Sequence, residues 1–126
     1  MRLEHFALDV ADPAAFKDWW VRNLGMRVSA AGDAFLTDDS GTFTLEVYRA
    51  GTTPAAPDYR AADPMTFHIA FLSDDVDADV ARLVAAGAEK VEVVHRPGFD
   101  MAIVRDPQGV PVQLVKRATA IALPPR

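Results

Sequence analysis

The chain of 126 residues contains no cysteine. This absence excludes a disulfide framework, a thiolate metal site and a cysteine nucleophile. No apolar run approaches the roughly 20 residues that span a bilayer, so no membrane-spanning segment is expected. The first ten residues, MRLEHFALDV, are interrupted by acids, and we expect no signal peptide.

Basic residues are also few and scattered. The chain has 13 Lys and Arg against 18 Asp and Glu, which gives a formal net charge of −5. Nucleic acid and anionic membranes are therefore not expected as partners. Half of the residues are hydrophobic, and the length suits one domain. We expect a single domain over about residues 1–120 that acts on a small molecule in the cytoplasm.

Two similar segments stand half a chain apart. LEHFALDV (3–10) and TFHIAFLS (66–73) each place a histidine before an apolar residue, an alanine and another apolar residue. The alternation predicts a strand in each segment, with His5 and His68 on the face opposite the large apolar residues. We expect those apolar residues to face a helix: Phe6, Leu8 and Val10 in the first strand, and Phe67, Ile69 and Phe71 in the second.

An amphipathic helix follows each strand. The first is capped by Asp12 and ends at Gly25; the second is capped by Asp74 or Asp75 and ends at Gly87. The predicted apolar stripes are Phe16, Trp19, Trp20 and Leu24 in the first helix, and Val76, Val80, Leu83 and Val84 in the second.

Three strand-like runs follow each helix, and the turn sequences DDSG (38–41) and DPQG (106–109) separate some of them. The runs are about 26–31, 33–38 and 42–49, then about 89–95, 99–105 and 110–116. The order β-α-β-β-β therefore occurs twice. We predict module one over about 1–50, a linker over about 51–64, module two over about 65–117 and a frayed tail over 118–126.

The predicted fold class is α+β: two tandem βαβββ modules that form a curved mixed sheet around a cleft. Alternation in FTLEVYR points Glu46 into that cleft, and alternation in VPVQLVK does the same for Gln113. Together with His5 and His68 they suit one divalent ion, which is Ni, Co, Zn, Mn or Fe. The alternative is that the histidines are structural and that Gln113 hydrogen-bonds a neighbour.

The motifs resemble those of the vicinal oxygen chelate superfamily, the glyoxalase/bleomycin resistance/dioxygenase-like proteins. The resemblance covers about residues 2–117 and rests on LEHFALDV, the NLGM turn, TLEVY, FHIAF and DPQGVPVQLV. It implies paired βαβββ modules and a homodimer. It also implies a metal site whose ligands come either from one chain or from two.

Two departures from the superfamily pattern narrow the range of functions that we expect. Gln113 stands where metal-dependent members commonly have Glu, and Asp9 stands where glyoxalase I typically has Arg for glutathione. The resemblance therefore implies a metal-dependent lyase or isomerase acting on vicinal oxygens rather than glutathione-dependent glyoxalase I. The alternatives are an Fe(II) or Mn(II) ring-cleavage dioxygenase and a non-catalytic binder of an antibiotic-like molecule.

If the chain is an enzyme, three residues of the predicted cleft have candidate roles. Glu46 is the candidate general base as well as a ligand. Asp9 and Tyr48 are candidate substrate contacts. The competing interpretations are a solvated carboxylate for Asp9 and simple packing at the cleft mouth for Tyr48.

Overall fold

The computed structural model describes residues 1–49 and 56–121. The chain divides into two compact units, Met1–Asp58 and Tyr59–Arg126. The first contains β1 (Phe6–Asp9), α1 (Pro13–Leu24), β2 (Arg27–Val28), β3 (Phe35–Thr37) and β4 (Thr44–Tyr48). The second contains β5 (Ile69–Leu72), α2 (Val76–Ala85), β6 (Glu89–Arg96), β7 (Phe99–Arg105) and β8 (Pro111–Arg117).

Each unit has one four-stranded mixed sheet with the same topology. The strand orders are β1-β4-β3-β2 and β5-β8-β7-β6. The first and last strands of each unit pair in parallel, and the remaining pairs are antiparallel. The predicted α+β class with two βαβββ modules is confirmed. Within the described ranges no helix is both long and apolar enough to cross a membrane.

The helix caps follow the prediction closely. Backbone N–H of Ala15 donates to the Asp12 carboxylate at 3.0 Å, and Gly25 ends α1 with a φ of 68°. Asp75, rather than Asp74, accepts from the N–H of Ala78 at 3.0 Å. Each cap satisfies a helix N–H that has no intrahelical partner.

The buried stripes of the helices are shorter than predicted. Burial is confirmed for three residues of each helix: Phe16, Trp19 and Trp20 in α1, and Val76, Val80 and Leu83 in α2. Val84 is 42% exposed, so its assignment to the stripe is wrong. It follows Leu83 by one position, and one step around a helix turns a side chain by about 100°.

The strand boundaries also differ from the expectation. β2 and β3 have only two and three residues, and β1 and β5 begin just after His5 and His68. Leu8 and Val10 are buried as predicted, but Phe6 is 56% exposed and Phe67 is 40% exposed. Burial of β1 thus begins at Leu8, and Phe67 precedes β5, so neither ring is covered.

Both predicted turns are built around a carboxylate. Asp38 accepts from the Ser40 hydroxyl and from the N–H groups of Thr42 and Phe43 at 2.8–3.2 Å. Burial acts to raise the pKa of Asp38, but these hydrogen bonds outweigh it and lower the pKa. In the second turn, Asp106 accepts from the N–H groups of Gln108 and Val110 at 2.9 and 2.8 Å.

A buried arginine fastens part of the predicted linker to the second unit. The Arg105 guanidinium donates to the carbonyls of Tyr59 at 2.6 Å, Ala62 at 2.9 Å and Gly109 at 3.3 Å, and the residue is only 8% exposed. Arg60 adds a bond to the Pro107 carbonyl at 2.8 Å. Linker residues 51–55 and tail residues 122–126 lie outside the described residues. The predicted single-domain boundaries stay a prediction.

The substitution Arg105→Met should destabilise the protein by about 2–3 kcal/mol. It removes three hydrogen bonds from a charged and buried donor, and the carbonyls that accept them, two of them in part-buried contacts, lose this partner. Urea unfolding measures the loss. Arg60→Met is the matched control, because its ion pair with Glu89 and its bond to the Pro107 carbonyl are exposed, and we expect a loss of about 1 kcal/mol or less. Equal losses in the two variants would contradict a special role for Arg105.

His95 joins α2 to the β6–β7 hairpin. Its Nδ1 lies 3.0 Å from Asp100 Oδ1, and its Nε2 lies 3.3 Å from Asp77 Oδ1. The hydrogen bond to Asp100 and the charge of Asp77 raise the pKa of His95 above its ordinary value of 6.5. A raised pKa in the folded state means that the protonated ring stabilises the fold.

The stabilisation from His95 should be complete below about pH 6.5, the unfolded value, and should disappear as pH rises through the higher folded pKa. Unfolding by urea, compared between the wild type and His95→Gln from pH 5.5 to 9, checks this. We expect the difference in unfolding free energy to shrink as pH rises. A difference that is constant across the range would refute the linkage.

Candidate functional site

In the first unit, parallel pairing brings a histidine and a carboxylate together. The register sets Ala7 opposite Glu46 and Leu8 opposite Val47. Leu45 and Val47 are buried, while Glu46 between them is only half-buried and lies on the other face of β4. On that face Glu46 Oε2 lies 3.1 Å from His5 Nε2. The prediction that these two side chains share a face is supported by this contact.

Two further groups hold the His5 ring. Its Nδ1 lies 2.9 Å from Glu4 Oε2. Its edge meets the Phe35 ring, with centroids 5.7 Å apart and planes at 76°. The imidazole is therefore flanked by a carboxylate at each nitrogen. A neutral imidazole has one N–H for two acceptors, so one nitrogen turns a lone pair toward a carboxylate. A proton or a metal ion at that nitrogen would offset the repulsion between its lone pair and the carboxylate.

In the second unit, His68 is held by a backbone group. Its Nδ1 lies 2.8 Å from the carbonyl oxygen of Pro64. A carbonyl only accepts, so Nδ1 carries the proton, and Nε2 of the neutral ring keeps its lone pair. This is the tautomer that a metal-ligating histidine adopts when its other nitrogen is fixed by an oxygen acceptor.

Gln113 occupies the position in β8 that Glu46 occupies in β4. It stands opposite Ala70 across the parallel pair and opposite Ile103 across the antiparallel pair. Its whole neighbourhood from Gly109 to Val115 is buried, and Gln113 itself is 9% exposed. The amide thus lies in a position equivalent to Glu46 but in a strand that is buried from Pro111 to Val115.

The two candidate substrate contacts lie opposite each other at the end of the β1–β4 pair. Asp9 Oδ1 is 3.6 Å from Arg49 Nη1, so the carboxylate has a cationic partner. Tyr48 is 40% exposed.

Sequence reasoning missed Arg49 because an ion pair between strand ends has no sequence spacing of its own. It missed Glu4 as well, although a carboxylate beside a candidate ligand histidine was a usable signal.

The donors fit a divalent ion as a pair. Ligands at the usual 2.0–2.2 Å from one ion, about 90–110° apart, lie roughly 3–3.5 Å from each other. The His5–Glu46 distance of 3.1 Å meets that condition. Among residues 1–49 and 56–121, no group of three or more His, Asp, Glu or Cys side chains is arranged to hold a metal. The set of four ligands therefore stays a prediction.

The chain matches the model of the Glyoxalase/Bleomycin resistance protein/Dioxygenase superfamily over residues 2–114. The chain belongs to this superfamily. The match includes residues of both units, and it confirms the resemblance drawn from the sequence motifs. No curated protein matches the chain significantly.

Solved structures of the superfamily fold match the chain over most of its length. A glyoxalase family protein from Bacillus cereus has a TM-score of 0.76 at 19% identity, covering 94% of this chain and 95% of its own. TnmS3, an antibiotic binding protein from a Streptomyces species, has a TM-score of 0.68 at 23% identity, covering 94% and 99%. A glyoxalase/bleomycin resistance protein from Streptomyces has a TM-score of 0.61 at 25% identity, covering 86% and 95%.

Proposed function

We propose that this superfamily member is a metal-assisted enzyme of the lyase or isomerase type that acts on a small molecule with vicinal oxygens. His5, Glu46 and His68 would hold a divalent ion, with Gln113 as a further ligand. The observation that carries the proposal is the contact between His5 and Glu46. Their facing Nε2 and Oε2 atoms lie 3.1 Å apart, which is the spacing of two ligands on one ion.

The histidines support the proposal through their second nitrogens. Nδ1 of His5 contacts a carboxylate at 2.9 Å, and Nδ1 of His68 contacts a peptide carbonyl at 2.8 Å. Ligand histidines almost always have such an oxygen partner on the nitrogen that does not bind the metal. In both rings Nε2 would then be the nitrogen that binds the ion.

When bound, a divalent ion would polarise a substrate carbonyl and make the adjacent C–H more acidic. Glu46 is then the residue that would accept the proton, since its carboxylate lies at the His5 ring and stays one-third exposed. Gln113 contributes no charge, so the site would carry one carboxylate, and the complex would keep a net charge of about +1. Arg49 beside Asp9 offsets an acid that would otherwise repel an anionic substrate.

Metal analysis tests the proposal first. Protein purified without an affinity metal or chelator should contain about one equivalent of one divalent ion per chain by mass spectrometry. His68→Ala should weaken binding by at least tenfold, since losing a ligand should exceed the effect of losing an outer partner. Titration calorimetry with Zn²⁺, Mn²⁺ and Ni²⁺ measures the affinity.

His95→Ala is the matched control, because His95 is the third histidine of the chain and contacts Asp77 and Asp100 on the surface. It should bind metal as the wild type does. If the bound ion is iron and the protein consumes oxygen in the presence of a catechol, the proposed function would change to that of a dioxygenase. No bound ion, and no thermal stabilisation by added ions, would reject both metal-dependent functions.

The second candidate function is a non-catalytic binder of an antibiotic-like molecule. TnmS3, which shares the fold, is an antibiotic binding protein. In the first unit an open depression beside His5 is lined by Leu3, Phe6 and Phe43, and these three side chains are 56–67% exposed. Exposed apolar side chains grouped around a polar centre are typical of a ligand-binding surface.

A binder should gain thermal stability from its ligand in the presence of EDTA. A panel of bleomycin-type and polycyclic aromatic antibiotics, tested by melting temperature, measures this. Phe43→Ser should remove the gain, whereas Val91→Ser, an equally apolar exposed residue in β6, should not. A gain that needs added metal would instead support the enzyme.

A further inference from the structure

Three side chains form a row across one end of the second sheet. Arg96 in β6 stands opposite Phe99 in β7, and Phe99 stands opposite Arg117 in β8. The two-residue turn Pro97–Gly98 joins β6 to β7 and holds this register. Residues opposite each other on antiparallel strands share a face, and the Cα atoms of the two arginines are about 10 Å apart, two strand spacings. This arginine row thus presents two guanidinium groups with an aromatic ring between them.

The arginine row lies on the face of the sheet that points away from α2. In the neighbouring row, His95 Nε2 lies 3.3 Å from Asp77 Oδ1 in α2. Successive residues of a strand point to opposite faces, so Arg96 and Phe99 point away from the helix. Asp100, the acid next to Phe99 in the chain, lies 3.0 Å from His95 Nδ1. That carboxylate is engaged on the α2 face and does not neutralise the arginine row.

Within the described part of the chain, neither guanidinium of the arginine row has a hydrogen bond or an ion pair. Arg117 instead lies over the Phe99 ring, with its Cζ 4.8 Å from the ring centroid. This cation–π contact orients the guanidinium and leaves its N–H groups available to an acceptor. Three other exposed arginines each have a carboxylate partner: Arg22 with Asp18, Arg60 with Glu89 and Arg82 with Asp79. The arginine row is therefore a positive surface in a chain whose acids outnumber its bases, and it is complementary to an anion.

The next row on the same face is apolar. It consists of Val94, Met101 and Val115, two positions further along the three strands. Val94 and Met101 are half-buried, so part of their surface is open to contact. Two strand positions span about 7 Å, which is the scale of one or two fused rings. Guanidinium groups bind carboxylates through paired hydrogen bonds, and the apolar row beside them suits a carboxylate with an apolar body.

We propose that the arginine row binds a small organic carboxylate with an apolar body. Arg96 and Arg117 bind the carboxylate, and Val94 and Met101 contact the body. The site goes beyond the proposed function, since it needs no metal ion. It also lies four positions along β8 from Gln113, a separation of about 14 Å.

Titration calorimetry with 2-naphthoate, on the full chain in the presence of EDTA, tests the proposal. We expect a Kd of about 1 mM or tighter, the usual scale for a ligand of this size. The uncharged 2-naphthamide has the same body and should bind at least about tenfold more weakly, because it cannot form charge-assisted hydrogen bonds with the arginines. Added salt should weaken the binding of 2-naphthoate, since the site is exposed and charged.

Two variants locate the binding. Arg96→Gln and Arg117→Gln should each weaken 2-naphthoate binding by about tenfold, because each removes a charged donor. Arg22→Gln is the matched control: it makes the same change in charge at an exposed arginine of α1, and it should bind as the wild type does. All three side chains are exposed, so the melting temperatures of the variants should stay close to that of the wild type.

Binding of 2-naphthoate that weakens in both row variants and not in Arg22→Gln supports the proposal. No binding in the wild type, equal binding of the amide, or binding that both row variants retain overturns it. Inorganic phosphate bound as tightly as 2-naphthoate also overturns it, since the apolar body would then contribute nothing. A dimer in sedimentation velocity that dissociates in Arg117→Gln would assign the row to a second copy of the chain and reject the small ligand. Failure of the metal site would leave each of these results unchanged, because they are measured in EDTA.

Discussion

The parallel pairing of the first and last strand in each module is the constraint on which the candidate site depends. It sets Ala7 opposite Glu46 in one unit and Ala70 opposite Gln113 in the other. His5 stands two residues before Ala7, and residues two apart in a strand share a face, so His5 comes to lie on the same face as Glu46. Alanine at both positions leaves space beside the polar groups, since a large side chain there would fill the face. The register is held because a slip of one residue would turn Leu45 and Val47 out of the core.

The two modules keep this geometry with different chemistry. Glu46 is one-third exposed and contacts His5, whereas Gln113 lies in a strand buried from Pro111 to Val115. A carboxylate buried to that extent would need a partner to offset its desolvation, and a neutral amide does not. The histidines differ in the same way. One ring is held by the exposed carboxylate of Glu4 and the other by the peptide carbonyl of Pro64. The histidine beside the more exposed strand is thus held by a charged carboxylate, and the histidine beside the more buried strand is held by a neutral peptide carbonyl.

Much of the fold was predictable because it rests on local chemistry. Helix caps, turns and the stripe of α1 depend on residues within a few positions of one another. Asp12 caps α1 as expected, and Asp38 and Asp106 lie in the two turns that DDSG and DPQG predict. The strand ends were less accurate. Phe6 and Phe67 have the right alternation, yet they lie beyond the covered part of each sheet. Alternation reports which face a side chain takes, but the position of the helix decides whether that face is covered.

The sequence by itself determined the βαβββ order of each module and the residue types offered to the site, because these follow from periodicity, turn chemistry and a repeated motif. Its motifs also carry the resemblance to the superfamily. Only the tertiary structure decided which groups surround those residues. The cationic partner of Asp9 is Arg49, which lies 40 positions away in the chain. The Arg105 bonds to Tyr59 and Ala62 span more than 40 positions. Such contacts have no period in the chain. They arise where strand pairing and packing bring distant groups within hydrogen-bonding distance.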